Sequence, residues 1–526
     1  MKLVSTFQDW LINTKGQFVL NNTMGSRFAK GVFWSSLGTV FTQVSTMAAA
    51  ILIARVLGKV NFGEFGMVNN TIWMFWVFAG SGLGITATKY VAEWRKTDPK
   101  RAGRVIGLSN LAALISGGAI GIIFYYFAVP LSAKILNAPQ LAGELKTSSI
   151  LLLVYGFTAT LTGALTGLED FKSIGWVNVA RGIISLPILV LGVWLYGLHG
   201  VIVGTVIIGI ISLILFYLAL RQGNRKAGIK TTYRNLRAEV PLLWKFSIPA
   251  LLANLVNTPI LWLAYTILVR QPDGYGEVGV LNGSNQWRTV LMFLPTIFIQ
   301  VSLPLMSNAL GDQETDTDFV NVLKISQSLT IMIVFPIATM IMFFSTWIMW
   351  LYGKSFIGGD VVLIGVVASV MIASVGATAG SAIQAKGKMW LSFFINLTWG
   401  AILIIFVWLT AQDLGAQSVA IGLSISYFVS TIWSLFYLAK SLPKRLIGRF
   451  FLALTFAILI SLICYLLPPV DRLIAGVPVT ILTLFLTLFV FIEPDTRQTL
   501  FRLIRLPERL YKPTTSVDIS SSSTDL

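Results

Sequence analysis

Two arginines lie inside long apolar segments of the chain. Arg181 belongs to the apolar run 174–196, and Arg288 belongs to the run 280–304. A cation at such a position is costly unless it meets water, an acidic partner or a ligand, so it indicates a functional site. A guanidinium suits an anion in particular, because its planar donors match phosphate oxygens in pairs. We therefore expect both arginines to contact an anionic substrate.

Other polar residues share the helical faces of these arginines. Asn178 and Ser185 lie on the same face as Arg181 at helical spacing. Arg288 follows a polar cluster made of Asn282, Asn285 and Gln286. Two alternatives stay open: Arg181 can extend its long side chain to lipid phosphates, and Arg288 can form hydrogen bonds between helices.

Polar stripes run along two further apolar segments. Thr39 belongs to a stripe at helical spacing in the run 31–57, together with Ser35, Thr42 and Thr46. Asn254 and Thr258 form a similar stripe in the run 242–268. Hydroxyl stripes also serve close helix packing. Because both runs carry the stripe, we expect a shared water-filled cavity to which Thr39 and Asn254 contribute.

A third pair of arginines belongs to a repeated motif. Arg55 precedes Phe62-Gly63-Glu64-Phe65-Gly66, and Arg270 precedes Tyr275-Gly276-Glu277-Val278-Gly279, displaced by 213 residues. Each arginine ends an apolar run, where a charged anchor at the membrane surface is common. The alternative is a contact with phosphate at the exit of the cavity. The motif itself predicts the same turn in two related halves.

The apolar runs lack the groups that several other functions need. Acidic residues lie at the ends of these runs or between them, although carboxylates usually carry proton or sodium coupling. The chain has no phosphate-binding loop of the Gly-x-x-x-x-Gly-Lys-Ser/Thr type, no cluster of metal ligands, and one histidine. We therefore predict a protein that is not an enzyme and that holds no cofactor and no metal.

The composition defines the class of protein. Of the 526 residues, 55% are hydrophobic and 12% are charged, and the apolar residues form runs of roughly 20, which is the length that spans a bilayer. We predict an all-α polytopic membrane protein with about 14 transmembrane helices. The formal net charge of +17 is confined to short segments between the runs, which argues against binding of nucleic acid.

Charge and repeats together predict the topology and the domains. If the N-terminus is cytoplasmic, 30 of the 39 Lys and Arg residues lie on that side, so both termini are predicted to be cytoplasmic. A second repeat, Gly197–Gly204 with Gly415–Gly422, is displaced by 218 residues. We predict two parallel six-helix lobes and two extra C-terminal helices. The predicted segments are a cytoplasmic N-terminal segment (1–30), an N-lobe (31–220), a basic linker (221–241), a C-lobe (242–440), spans 13 and 14 (441–495), and a basic amphipathic helix with a disordered tail (496–526).

The motif around Arg55 carries a family resemblance. Together with Phe33-Trp34-Ser35-Ser36-Leu37-Gly38 and with Gly82-Leu83-Gly84 to Glu93, it resembles the lipid-linked oligosaccharide flippases. These are the Wzx-type polysaccharide transporters of the multidrug/oligosaccharidyl-lipid/polysaccharide exporter superfamily. The resemblance implies a V-shaped pair of lobes, alternating access, and the transfer of a polyprenyl-diphosphate-linked glycan from the cytoplasmic to the outer leaflet of the cell membrane. Membrane lipids and a glycan polymerase or glycosyltransferases are the further partners that it implies.

Three alternatives to this function stay open at the level of the sequence. A lipid II flippase of the same superfamily also has two extra C-terminal helices, but this chain lacks its dense set of arginines in the first two spans. A multidrug antiporter of the same fold would need a carboxylate in the cavity to bind organic cations. A scaffold for glycan-assembly enzymes would transport nothing.

Overall fold

The protein is helical throughout the part that the computed structural model describes, which comprises residues 22–247, 251, 256–311, 316–492 and 497. The described residues include no β-strand, and this confirms the predicted all-α class. The chain divides into a large unit, Gly31–Phe491, and a small unit that contains both chain ends. The predicted amphipathic helix and tail (496–526) lie outside the described residues except for residue 497.

Five α-helices of seven or more residues lie in the described part of the chain up to residue 241. They are α1 (Asn22–Trp94), α2 (Pro99–Pro130), α3 (Ala142–Ser148), α4 (Ile150–Gly167) and α5 (Phe171–Lys226). Two of them contain an internal break: α1 breaks at Gly58, and α5 breaks at Tyr196 and Gly197. Each of the two therefore consists of two helical arms.

The second half, residues 242–440, continues the bundle, and two further helices follow it. The helices are α6 (Asn257–Val269), α7 (Gly274–Gly311), α8 (Asp316–Phe343), α9 (Ser345–Leu351), α10 (Asp360–Ala385), α11 (Met389–Leu414), α12 (Ala416–Leu438), α13 (Lys444–Leu466) and α14 (Pro469–Leu486). A short π-helical turn, Leu243–Ser247, precedes them.

Ten helices in the described residues are long and apolar enough to cross a membrane. Large apolar side chains cover the outside of the bundle, among them Trp194, Trp408 and Leu466. Only a lipid environment makes such a surface favourable, and a helix satisfies its own backbone polar groups there. The protein is therefore a multi-pass membrane protein, while the number of 14 spans and the two lobes stay predictions.

Helix ends follow local sequence signals. The side chain of Asp98 accepts a hydrogen bond from the backbone N–H of Arg101 at 2.9 Å, and Pro99 occupies the first helical position of α2. Asp170 caps α5 in the same way through the N–H of Ser173, at 3.2 Å. Such caps satisfy backbone donors that have no partner in the first helical turn. They fix the points at which α2 and α5 begin.

Both repeated motifs adopt matching backbone conformations in the two halves. Gly197 has φ and ψ of 56° and −131°, and Gly415 has 51° and −131°. Gly58 and Asp273, each three residues after the arginine of the first motif, have φ angles of 72° and 52°. A positive φ is rare outside glycine, asparagine and aspartate, so its recurrence at matched positions indicates the same turn in both halves.

The C-terminal helix α14 is tied to the second half by a buried ion pair. Arg472 in α14 contacts Asp360 at the start of α10 with an N–O distance of 2.8 Å, and both residues are buried. Arg472 also donates to the hydroxyl of Ser345 at 3.2 Å. Removing one partner of such a pair would leave an uncompensated buried charge. The pair therefore fixes where α14 packs.

Candidate functional site

A cavity of about 490 Å³ lies between the two halves of the chain. Its walls come from α1, α4 and α5 of the first half and from α6, α7 and α12 of the second half. The residues on α1 that face it recur every three or four positions, as one face of a helix requires. Those after the break of α1 are Phe62, Phe65, Gly66, Asn69, Asn70 and Trp73.

The structure brings Arg181 and Arg288 to this one cavity, from opposite halves. No other described residue forms a hydrogen bond or ion pair with the guanidinium of Arg181. Arg288 donates from Nη2 to the hydroxyl of Tyr427 at 2.8 Å. No residue that lines the cavity is acidic. The cavity therefore presents two cations, and none of its lining residues neutralises them.

Asparagine side chains from both halves of the chain line the same cavity. Asn70 on α1 donates to Oδ1 of Asn282 on α7 at 3.4 Å, which joins the halves. The amide nitrogen of Asn282 and the amide oxygen of Asn285 are enclosed and have no hydrogen-bond partner among the described residues. Asn285 donates its own amide N–H to the hydroxyl of Tyr265. Residues that line the cavity thus contribute two polar groups without a hydrogen-bond partner, and protein atoms cover both of them.

Aromatic side chains complete the wall. The ring of Trp73 stacks on Tyr155 with centroids 5.5 Å apart and an interplanar angle of 20°. The indole N–H of Trp262 donates to the hydroxyl of Thr71 at 3.0 Å, again across the two halves. Sequence reasoning missed Trp73 and Tyr155. The helical spacing of polar and aromatic residues between Phe62 and Trp73 could have indicated this face.

The remaining predicted residues lie at different places. Thr46, Thr258 and Ser185 line the cavity. Thr39 and Asn178 are not among the lining residues. The backbone carbonyl of Asn178 accepts a hydrogen bond from Thr42 at 2.8 Å, so this part of the stripe packs α1 against α5. Asn254 lies outside the described residues.

Arg55 and Arg270 lie outside the cavity, and each binds backbone carbonyls of the other half. Arg55 donates from Nε to the carbonyl of Leu351, at the end of α9, at 2.5 Å. Arg270 donates to the carbonyls of Lys134 and Ile135, beyond the end of α2, at 2.6 and 3.1 Å. Cations are favoured at helix C-termini because unpaired carbonyls carry partial negative charge there. A contact of these arginines with phosphate stays a prediction.

Helices α1 and α7 cross closely at the same end of the bundle. This crossing is here named the turn-end contact, and its residues are Lys59, Gly63, Asp273, Tyr275 and Gly279. A Cβ atom on Gly63 would lie 1.8 Å from the carbonyl oxygen of Tyr275, and one on Gly279 would lie 2.0 Å from that of Lys59. Lys59 and Asp273 form an ion pair at 2.5 Å. Only glycine allows such an approach of two helix backbones.

The halves also meet at the opposite end, here named the basic-end contact and made of Gly82, Thr86 and Ser247. The hydroxyls of Thr86 and Ser247 lie 2.6 Å apart, and a Cβ atom on Gly82 would lie 2.2 Å from the carbonyl oxygen of Ser247. Nearby, the buried carboxylate of Glu239 accepts hydrogen bonds from Arg101 and Arg104 at 3.2 and 3.0 Å. The cavity therefore lies between two contacts of the halves.

The fold and the cavity define a class: a helical multi-pass membrane protein with a cationic chamber between its halves. Residues 28–310 match the family described as polysaccharide biosynthesis protein, and the chain belongs to this family. It is 21% identical over 393 residues to the EPS I polysaccharide export inner membrane protein EpsE of Ralstonia nicotianae, which covers 72% of this chain and 86% of that protein.

Two further similarities concern a second relative and a solved structure. The chain is 23% identical over 299 residues to the lipid III flippase of Escherichia coli K12, which covers 56% of this chain and 71% of that protein. It also superposes on the lipid II flippase MurJ in an inward closed conformation with a TM-score of 0.66, 17% identity, and coverage of 87% and 98%. This structural similarity establishes the fold.

Proposed function

We propose that the protein is a flippase that moves a polyprenyl-diphosphate-linked oligosaccharide from the cytoplasmic to the outer leaflet for the synthesis of a surface polysaccharide. The observation that carries the proposal is the meeting of Arg181 and Arg288 in one cavity whose lining has no acidic residue. The family membership and the similarity to a polysaccharide export protein and to a lipid III flippase support it.

The two arginines would hold the diphosphate of the lipid. Charge-assisted hydrogen bonds of this kind contribute about 1.5–3 kcal/mol each. Two arginines together would therefore offset much of the cost of drawing a diphosphate away from the membrane surface. The polyprenyl chain would stay in the bilayer, because moving it into a polar cavity would forfeit its hydrophobic contacts with lipid.

Transport would use the two contacts of the halves in alternation. Opening the basic-end contact would admit the headgroup from the cytoplasmic side, on which both termini lie in this proposal. Opening the turn-end contact would release the headgroup to the outer side. Both contacts rest on glycine-mediated backbone approach and a few hydrogen bonds, so each can separate at a modest cost.

The lining of the cavity argues against a multidrug antiporter of the same fold. An organic cation would need a carboxylate in the cavity and would be repelled by Arg181 and Arg288.

The proposed function also implies protein partners. These are glycosyltransferases or a glycan polymerase, which would act on the same lipid-linked glycan before or after the flippase.

Replacing Arg181 by alanine tests the proposal directly. We expect Arg181→Ala to abolish export of the surface polysaccharide in cells that lack the native protein, while the variant still accumulates in the membrane. Arg221→Ala, which removes an exposed arginine outside the cavity, serves as the matched control and should export normally. Unchanged export by Arg181→Ala at equal membrane abundance would refute the role of the cavity.

A further inference from the structure

The cavity contains a surface that the binding of phosphate does not require. This surface, here named the aromatic–amide wall, consists of Trp73, Tyr155, Asn69, Asn70 and Asn282. Phosphate oxygens are bound by cations and N–H donors, and they gain nothing from the face of an aromatic ring. The aromatic–amide wall therefore indicates that the ligand has a second chemical group besides its phosphates.

The stacking of Trp73 on Tyr155 orients a broad aromatic face in the cavity. Tyr155 covers one side of the indole, and Trp76 contacts Trp73 edge to face with centroids 5.1 Å apart. Despite both contacts, Trp73 lines the cavity and is 47% exposed. A large aromatic residue that is fixed by two neighbours and still exposed within a cavity is a preformed platform for a ligand.

The amides beside this platform can bind hydroxyl groups. An asparagine side chain carries two donors and one acceptor, so it can meet a hydroxyl as either partner. The side-chain oxygen of Asn282 accepts a hydrogen bond from Asn70 at 3.4 Å. The enclosed amide nitrogen of Asn282 has no hydrogen-bond partner among the described residues. Asn69 and Asn70 line the cavity as well, so the hydroxyl groups of a ligand can meet amide groups beside Trp73.

We propose that the aromatic–amide wall binds the sugar residue that is directly attached to the diphosphate, and that it sets the sugar preference of the protein. This inference rests on the proposed flippase function. A pyranose ring has an apolar face of C–H groups and an edge of hydroxyls, so one face packs on the Trp73 indole while the edge meets the amides.

The position of the wall matches the order of groups in such a lipid. Tyr155, which stacks on Trp73, and Arg181 line the same cavity. A sugar on Trp73 and a phosphate on Arg181 can therefore belong to one ligand, as the glycosidic diphosphate linkage requires. The arginines recognise the phosphates that all such lipids share, and the wall recognises the sugar that differs between them.

The test compares two probes on the purified full-length protein. One probe is polyprenyl diphosphate, and the other is the same lipid carrying a single N-acetylhexosamine. The wild type should bind the sugar-bearing probe about three- to tenfold more tightly, a range typical of one aromatic contact. Trp73→Leu should bring the ratio of the two affinities close to one, and Trp73→Phe should preserve most of it.

Two further variants separate the possible failures. Arg181→Ala should weaken both probes equally, and Trp408→Leu, at a tryptophan 70% exposed on the outside of the bundle, should change neither. A wild-type ratio of one, or a ratio that Trp73→Leu leaves intact, would overturn the sugar site alone. Failure of the wild type to bind either probe would overturn the proposed function itself.

Discussion

The two arginines of the cavity differ in how firmly the protein holds them. Arg288 donates to the hydroxyl of Tyr427 at 2.8 Å, and its guanidinium lies 6.0 Å from the centre of the Tyr427 ring. The guanidinium of Arg181 has no hydrogen-bond partner in the described part of the chain. A held side chain loses less conformational entropy when a ligand arrives. Arg288 is therefore the preorganised phosphate contact, and Arg181 is the adaptable one.

Removing the hydroxyl of Tyr427 should weaken this preorganisation. We expect Tyr427→Phe to lower the affinity for polyprenyl diphosphate by about two- to tenfold, since immobilising one long side chain on binding costs about 0.5–1.5 kcal/mol. The measurement is equilibrium binding to the purified protein. Tyr217→Phe, at a tyrosine exposed on the outside of the bundle, is the control. An affinity equal to that of the wild type would show that Tyr427 does not position Arg288.

At this scale the sequence predicted the charged residues better than the neutral ones. Arg181 and Arg288 stand out because a cation in an apolar run is unusual, and this signal needs no knowledge of the fold. Trp73 and Asn70 are ordinary residues of a membrane helix until the break at Gly58 turns their face toward α7. The hydrogen bond of Asn70 with Asn282, 212 residues away along the chain, depends on tertiary packing that a local pattern does not contain.

At the scale of helices, the turn-end contact combines an ion pair with a close crossing of two backbones, and the crossing contributes more to its geometry. The Lys59–Asp273 pair is partly exposed, with side-chain exposures of 33% and 47%, and such pairs contribute about 0–1 kcal/mol. The crossing at Gly63 instead depends on the absence of a side chain, because a Cβ atom there would overlap a backbone carbonyl. The glycines therefore control this contact more strongly than the ion pair does.

A methyl group at Gly63 should keep the turn-end contact from closing. We expect Gly63→Ala to reduce glycan export at least about tenfold, because a backbone shift costs more than about 1.4 kcal/mol. Lys59→Ala should change export by less than about fivefold. Both are measured as surface polysaccharide at equal membrane abundance.

A matched control separates the crossing from a general effect of the substitution. Gly448→Ala introduces the same methyl group on α13, where no atom lies within 4 Å of the new Cβ, and export should be unaffected. If Lys59→Ala proves more damaging than Gly63→Ala, the ion pair and not the backbone crossing governs the contact.

The structure also explains why an arginine precedes each copy of the repeated motif. The sequence predicted a turn at Arg55 and another at Arg270, and the positive φ angles of Gly58 and Asp273 agree with it. It did not predict that each arginine binds carbonyl groups of the other half. The carbonyl groups are more than 130 residues away from Arg270 and almost 300 residues away from Arg55 along the chain. Only the packing of the halves brings them together.

For the whole molecule, the distribution of Lys and Arg predicts one orientation in the membrane. Two exposed lysines mark its opposite sides: Lys226 at the end of α5 and Lys354 after α9. Cytoplasmic segments of membrane proteins carry the excess of basic residues, so Lys226 should face the cytoplasm and Lys354 the outer side.

Labelling of single cysteines checks this orientation. Cys464 is the one cysteine of the sequence, so Cys464→Ala gives a cysteine-free background. In that background, a membrane-impermeant maleimide applied to intact cells should label Lys354→Cys and not Lys226→Cys. Permeabilised cells should give labelling at both positions. Labelling of Lys226→Cys in intact cells would reverse the predicted topology.

The central claim is that the cationic cavity carries a diphosphate-linked glycan across the bilayer. The most direct measurement is the flipping rate of a fluorescent polyprenyl-diphosphate glycan in proteoliposomes, followed by quenching from outside with an impermeant reductant. The wild type should expose the inner-leaflet probe, and the variant with both Arg181→Ala and Arg288→Ala should remain at the rate of protein-free vesicles. Equal flipping by the wild type and this double variant would contradict the account.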